Sequence, residues 1–465
     1  MVARGRVDYP SLGSYDVVVC GGGPAGCVAA VAAGRAGARV LLVEQYGFLG
    51  GALTAQGVHP MMTFHAGPQQ VVRGIADEVV ERLKAAGASP GHIADSIGYA
   101  SSVTPFDLEG LKCVLEELVD QAGVEVLYHA MLADAWLEDG VLGPALLCTK
   151  AGLMVANGRV FVEATGDGDL LARAGIEFLQ GRAADGATQP MTTNFRVGQV
   201  DLDRVRAYVL SHPDEFWLDG TEAVQTAARL SVSGFYEHVR RGKATGEFPN
   251  QRRGVLFFET NTPGEVNVNT THIIGRDATD PRQLSAAETE GRTQARAVFA
   301  FLKARVPGFE RAVYLSTGFQ IGVRESRRLR GCYCLTERDL VEGQRFADTI
   351  AVGGYPIDIH PPTPADAAAA AATGKQAHSI AKGRRYYLPY RCLITAQCRN
   401  LVVAGRCLSA DHEALGAVRV TPIAMATGQA AGTAAALAAR ATGNVHQVDP
   451  SQLQQVLRTH GAELG

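Results

Sequence analysis

The feature that most narrows the fold lies in residues 15–44. There an apolar run, Tyr15 to Cys20, meets Gly21-Gly22-Gly23-Pro24-Ala25-Gly26, then an Ala-rich stretch to Gly34 and a second apolar run, Arg39 to Glu44. Short continuous apolar runs of this kind read as parallel strands buried on both faces. The stretch between them, opened by Pro24, reads as a helix, so the unit is β–α–β. Each glycine of the GxGxxG has its own task. Gly21 allows a tight turn, Gly23 lets backbone approach a pyrophosphate, and Gly26 lets the helix pack on the strand. The helix N-terminus then offers unpaired N–H groups and the positive end of a dipole to an anion. Glu44 ends the second strand where a carboxylate can grip ribose hydroxyls. The pattern predicts a dinucleotide on a doubly wound sheet.

A chain of 465 residues is too long for one small core and predicts more than one domain. Val71 to Ala86 and Phe106 to Ala122 carry helical spacing, the second with Asp107 as N-cap and Gly110 as a weak place in its first turn. Val124 to Tyr128 and Arg159 to Glu163 read as strands with a β-meander between them. From about Leu179 the texture shifts to more Arg, Asn and Thr, as expected of an inserted segment. Pro361 to Lys382 reads as a surface excursion or a short helix with loose ends. Asn400 to Gly405 and Thr421 to Arg440 return as a strand and a helix. The predicted fold class is α/β: a three-layer Rossmann-type domain, parallel sheet plus β-meander, with an inserted α+β substrate domain. The expected division is 1–178, 179–385 and 386–465.

Composition excludes several alternatives. A net charge of −3 and a pI of about 6.5 leave no basic face for nucleic acid. No apolar run reaches the roughly 18 to 20 residues of a membrane span, and Ala424 to Ala439 reads as a buried helix. Met1 to Ser14 lacks the apolar centre of a secretion signal. Nine scattered cysteines without a CxxC pair suggest reduced thiols and a cytoplasmic setting.

Four further segments select the nucleotide. Gly47 to Gly57 is dense in glycine, and Val162 to Asp167 ends a strand in the small turn Thr165-Gly166-Asp167. Leu401 to Arg406 is followed by a small-residue helix containing Gly428 and Gly432. At these residues the chain resembles FAD-dependent oxidoreductases of the glutathione-reductase type, in the branch near fumarate reductase and succinate dehydrogenase flavoproteins. It looks most like a group of bacterial FAD-dependent oxidoreductases with Gly-x-Arg-Glu-Ser-Arg-Arg (Gly322 to Arg328), Pro-Tyr-Arg-Cys (Pro389 to Cys392) and Gly-Arg-Cys…His-Glu-Ala…Arg-Val (Gly405 to Val420). The resemblance runs from about Ser14 to Arg440 and implies one FAD. It implies that Gly21, Gly23, Pro24, Ala25, Gly26, Glu44 and Gln45 hold the adenosine half. Gly50, Gly51, Thr54, Thr165, Gly166 and Asp167 would line the middle. Gly405, Arg406, Thr421, Pro422 and Ile423 would face the flavin, whose reduced form a helix N-terminus stabilises. Succinate dehydrogenase flavoproteins bond FAD to a histidine after the second strand. Here no histidine occurs from Gly50 to Gly57, the next being His59, so non-covalent FAD is expected.

The resemblance also implies an anion-binding role for Arg419, against an ion pair with Glu413 or Asp411. His412, ahead of the flavin-facing helix, is an acid/base or a loop-ordering residue. His360, in Tyr355-Pro356-Ile357-Asp358-Ile359-His360, matches a substrate-contacting histidine by position alone. Arg324 or Glu325, within a dense charge group, is expected to be partly buried and to tie the two domains together above the active site. Cys332 and Cys334 read as buried thiols on one face of a strand rather than a redox pair. The expected activity is two-electron hydride transfer between flavin and a small organic substrate, as a dehydrogenase or oxidase. A second GxGxxG is missing, which points to oxygen, a quinone or a redox protein as electron partner. A flavin monooxygenase and an electron-transfer subunit are the alternatives, the latter without iron–sulfur cysteine spacing.

Overall fold

In a computed structural model of the chain, residues 8–373, 380, 381 and 383–465 are described. Strand β1 (Ser11–Cys20), helix α1 (Pro24–Arg35) and strand β2 (Val40–Val43) follow in the predicted order. β1 starts earlier than its apolar run, because Ser11 to Ser14 pair with the extended end of a longer strand. Ladder hydrogen bonds come from the backbone, so this polar overhang needs no buried side chains. After β3 (Glu125–Leu127) come β4 (Met131–Asp134), β5 (Ala145–Thr149) and β6 (Gly152–Glu163). The sheet order is β3-β2-β1-β6-β5-β4. β3, β2, β1 and β6 pair in parallel, and β6, β5 and β4 continue as an antiparallel meander.

The next unit has its own sheet and core. β7 (Phe195–Gly198), β8 (Ser231–Gly234), β9 (Val255–Glu259) and β10 (Val266–Val268) precede the long helix α2 (Pro281–Arg305) and β11 (Val313–Thr317). These strands form an antiparallel sheet, β8-β9-β10-β7-β11. Helix α2 starts where Asp280 accepts the N–H groups of Arg282 and Gln283 and Pro281 needs no acceptor. Phe195, Phe235, Phe257, Phe309 and Leu302 fill the core beneath. Leu335, Ile350, Ile357 and Ile380, within the stretch 179–385, pack instead into the core of the first unit.

The return strand β12 (Leu401–Val403) pairs in parallel with the end of β6. Helix α3 (Thr421–Arg440) then crosses α1 with backbones in contact. A Cβ on Gly428 would lie 2.2 Å from Ala25 O, and one on Gly432 would lie 2.0 Å from Ala29 O. The small residues of this helix are therefore a packing surface. No helix among the described residues is long and apolar enough to cross a membrane.

Asp107 stands at the N-cap of the helix Leu108–Gln121 as expected, though its side chain makes no capping bond and accepts from Asn261 Nδ2 at 3.1 Å. Two local expectations are corrected. Gly110 is a close approach, since a Cβ there would meet Ala88 Cβ at 2.5 Å. Cys332 and Cys334 lie on a bend rather than a strand, the first exposed and the second half-buried. A main-chain bond from Cys332 N–H to Ile394 O holds the bend. Pro361 to Lys382 contains the helix Pro364–Thr373; residues 374–379 and 382 lie outside the described residues.

Candidate active site

A cavity of about 710 Å³ starts at the first β–α turn. Gly21 has φ +103°, and a Cβ on Gly26 would lie 1.8 Å from Gly21 O, so helix and strand end touch. Gly23 is not crowded, since the nearest neighbour to an added Cβ is Gly51 Cα at 4.0 Å. Gly23 caps α1 without a side chain, which leaves first-turn N–H groups free for an anion. Glu44 is buried, and its carboxylate accepts Gly22 N–H at 2.8 Å and Tyr46 N–H at 2.9 Å. Burial raises its pKa against these hydrogen bonds. Two amides do not exhaust the roughly four acceptor sites of a carboxylate, so ribose hydroxyls can still be held.

The cavity continues past Thr165, Gly166 and Asp167 to Gly405 and Arg406. The buried Glu163 fixes this turn by accepting Thr165 N–H and O–H, both at 2.6 Å, and Leu170 N–H at 2.7 Å. Arg406 Nη1 lies 3.0 Å from Asp167 Oδ1 and donates to Ser326 Oγ at 2.9 Å. The predicted Arg-rich motif, the middle turn and the return segment thus meet at one point. Val420, Thr421 and Ala424 bring the N-terminus of α3, also without a side-chain cap, into the wall. His59 lines this cavity with both ring nitrogens buried and without a partner among the described residues. Burial, helped by Arg196, lowers its pKa to about 3, so its ring is neutral.

The far end of the cavity is charged. Arg252, Arg324, Arg419, Asp358 and His360 line it with Tyr99, Trp217 and Tyr355. Arg324 Nη1 donates to Pro190 O at 2.7 Å and to Thr192 Oγ1. Arg419 Nη2 donates to Asp358 O at 3.3 Å, to Asp358 Oδ2 at 3.4 Å and to Gln189 Oε1 at 3.4 Å. Neither Glu413 nor Asp411 is its partner, because Asp411 turns away to cap the helix His412–Val418. His360 Nε2 stands 3.4 Å from Asp358 Oδ2. Burial lowers the His360 pKa to about 4 despite Asp358, and the ring is neutral near pH 7. Burial of Asp358 is outweighed by His360, Arg419 and Arg324, which hold its carboxyl far below the usual range.

Of the residues expected at the cofactor, Gly21, Gly23, Pro24, Ala25, Glu44, Gln45, Gly51, Thr165, Gly166, Asp167, Gly405, Arg406 and Thr421 line the cavity. Gly26, Gly50, Thr54, Pro422 and Ile423 are not in its wall. They stand behind it: Gly26 for helix–strand contact, Thr54 donating to Leu49 O at 2.7 Å, Ile423 in the core. Among the expected catalytic residues, Arg324, His360 and Arg419 share one pocket. His412 does not join them. Its buried ring bonds Glu325 at 2.9 to 3.0 Å, and Glu325 also holds Arg328 and Gln189 N–H. Burial of Glu325 is overcome by His412 and Arg328, which keep its carboxylate ionised. Sequence reasoning missed Arg252, Asp358, Tyr99 and Tyr355. Asp358 lay inside a quoted motif, and Arg252 is one of two adjacent arginines, Arg253 stacking outward on Tyr236.

Strand, glycine turn, carboxylate and crossing helix enclosing one long cavity define a dinucleotide-binding flavoprotein of Rossmann type. The chain belongs to the FAD dependent oxidoreductase family, whose pattern matches residues 16–457. It is an FAD-dependent enzyme, and the residues around the cavity fit that cofactor. No curated protein matches the chain. Among solved structures it is similar to a geranylgeranyl bacteriochlorophyll reductase-like protein of Thermoplasma acidophilum, at 13% identity and TM-score 0.44, covering 96% of this chain and 83% of that one. It is similar to p-nitrophenol 4-monooxygenase of Pseudomonas putida, at 13% and 0.47, covering 97% and 84%. It is also similar to the myxobacterial chondrochloren halogenase, at 14% and 0.47, covering 97% and 79%.

Proposed function

We propose that the enzyme is a dehydrogenase or oxidase of the glutathione-reductase type, near the fumarate reductase branch, acting on a small organic substrate in the charged pocket. The observation that carries this reading is one cavity holding both the glycine turn and the cluster Arg324, Asp358, His360 and Arg419. When bound, FAD supplies a two-electron centre that accepts or donates hydride. The chain supplies the rest. Gly23, Glu44 and the α1 N-terminus hold the adenosine and pyrophosphate. Thr165 and Gly166 would line the middle of the cofactor, and Arg406 with the N-terminus of α3 would hold the flavin end, the helix dipole favouring negative charge there. The inserted unit reaches the substrate side with Arg252, and the segment that leads from it back to the first unit adds Arg324 and His360. Asp358 draws the His360 Nε2–H and leaves Nδ1 free to take a substrate proton. His412 acts at one remove, as a positioning residue that fixes Glu325 behind the pocket.

FAD is held without a covalent bond, so acid or heat releases it from the polypeptide. Flavin that stays with the precipitated chain would overturn this point. The activity is tested by screening substrates for anaerobic bleaching of the bound flavin. Bleaching by a small substrate, followed by reoxidation without oxygen insertion, supports the reading. Oxygen uptake with a hydroxylated product would replace it with a monooxygenase, and reduction only through a partner protein with an electron-transfer subunit.

A further inference from the structure

The charges at the far end of the cavity do not balance. Arg252, Arg324 and Arg419 are three guanidinium groups, and Asp358 is the carboxylate that Arg419 already contacts. The hydrogen bonds of Arg324 go to the neutral oxygens of Pro190 and Thr192. Arg252 is left over: its Nε and Nη2 are both buried and have no partner among the described residues. An unpaired guanidinium inside a protein is unfavourable unless an anion completes it. The electrostatics agree, since burial and then Arg252 and Arg419 push the Arg324 guanidinium down while Asp358 resists. His360, neutral, adds no charge to offset.

Nε and Nη2 form the side-on fork of an arginine. Their two N–H bonds run nearly parallel and match the two oxygens of a carboxylate, which a lysine cannot do. The cavity that Arg252 lines also carries flat and apolar side chains. Tyr99 meets Trp217 at 6.2 Å and Tyr355 at 5.8 Å, both edge-on, and Phe258 and Leu256 also line the cavity. Such walls favour a planar body over a short aliphatic chain.

We propose that Arg252, seconded by Arg324, is the substrate's carboxylate-binding residue, and that the enzyme acts on a planar, aromatic or conjugated, organic acid. The assignment rests on the oxidoreductase reading of the same cavity. Arg252 sets specificity and Arg419 is retained by Asp358, so the two arginines are not interchangeable.

The test is calorimetric titration of the FAD-loaded and the FAD-stripped protein with benzoate, benzamide and inorganic phosphate. Benzamide keeps the shape of benzoate and removes its charge. Benzoate should bind about 10- to 100-fold more tightly than benzamide, the range of a charge-assisted hydrogen-bonded pair. Phosphate should compete weakly. Arg252→Gln and Arg252→Lys should each lose most of the benzoate affinity while keeping FAD, and Arg252→Gln, which removes the unpaired charge, should melt no lower than the wild type. Equal binding of benzoate and benzamide would overturn the proposal, as would full benzoate affinity in both variants. Phosphate binding as tightly as benzoate would overturn the planar body. The wild-type comparison stands even where a variant fails to fold. Should the protein bind no FAD at all, the oxidoreductase reading fails, and the titration of the stripped protein still decides the carboxylate site.

Discussion

Gly432→Ala sets two effects of opposite sign against each other. Alanine in place of glycine inside a helix is worth about 1 kcal/mol of stability from propensity alone. The contact works the other way. The added Cβ would sit 2.0 Å from Ala29 O, 2.7 Å from Ala29 C and 2.8 Å from Ala29 Cα. Carbon and oxygen approach to about 3.3 Å at closest, so the α1–α3 crossing must open by about 1.3 Å. No rotamer change relieves this, because the obstacle is backbone. Overpacking of a tight core costs about 1 to 3 kcal/mol, and a backbone clash belongs at the upper end. The net expectation is a loss of about 2 kcal/mol. With about 2.1 cal/mol/K of unfolding entropy per residue over 465 residues, that is a fall of about 2 °C in Tm. Both helices also carry cavity wall at their N-termini, Pro24 and Ala25 on α1, Thr421 and Ala424 on α3. The variant should therefore also lose flavin. The assay is a melt followed by flavin fluorescence, with FAD per chain measured after gel filtration. A Tm equal to or above wild type, with full flavin, would show that propensity wins and that the crossing yields without cost.

Glu44→Ala should weaken FAD binding by about 1.5 to 3 kcal/mol, read by equilibrium dialysis; undiminished FAD binding would remove Glu44 from the ribose. His360→Ala should slow flavin reduction by about 10²- to 10⁴-fold at unchanged FAD content. In the wild type, protonation of His360 removes the base, so kcat/KM should fall as pH drops through about 4 rather than through 6.5. A limb at 6.5 would exclude this histidine. Glu163, raised by burial and by Asp169 from 4.5 to about 7, keeps its proton in the folded chain while the unfolded chain releases it. Its contribution to stability should therefore decline as pH rises from 4.5 to about 7 and stay level above that. Comparing urea midpoints of the wild type and Glu163→Gln across this window isolates the effect, and parallel curves would refute it.

What the chain reveals about itself follows from how local each constraint is. The β–α–β start was legible because Gly21, Gly23 and Gly26 each answer a steric demand within a few residues, and the demands fall in one order. The return strand and helix were legible for the same reason, apolar runs with small residues between. The charged pocket was legible only in part, through Arg324, His360 and Arg419. Arg252, Arg324, Asp358 and Arg419 come from segments far apart in sequence, and nothing local tells an inward arginine from the outward Arg253 beside it. His412 shows the converse error. A histidine next to a flavin-facing helix suggests catalysis, but Glu325, 87 positions earlier, takes up its ring. Cys332 and Cys334 were misread because an alternating pattern was assumed where the main chain bends to meet Ile394.

The crossing of α1 and α3 has a consequence for how the protein is made. The two helices are separated by some 400 residues, so α1 leaves the ribosome long before its partner exists. At about 5 to 20 residues per second, translation of that interval takes roughly 20 to 80 s. Throughout it the Ala25–Ala29 face of the nascent helix is uncovered, and the flavin end of the cavity lacks Gly405, Arg406 and Thr421. With Gly405, Arg406 and Thr421 at the flavin as proposed, FAD uptake is expected to follow the emergence of α3 rather than to template the first β–α–β unit. A ribosome-bound chain halted before Thr421 is expected to carry no flavin, however completely its first β–α–β unit has formed.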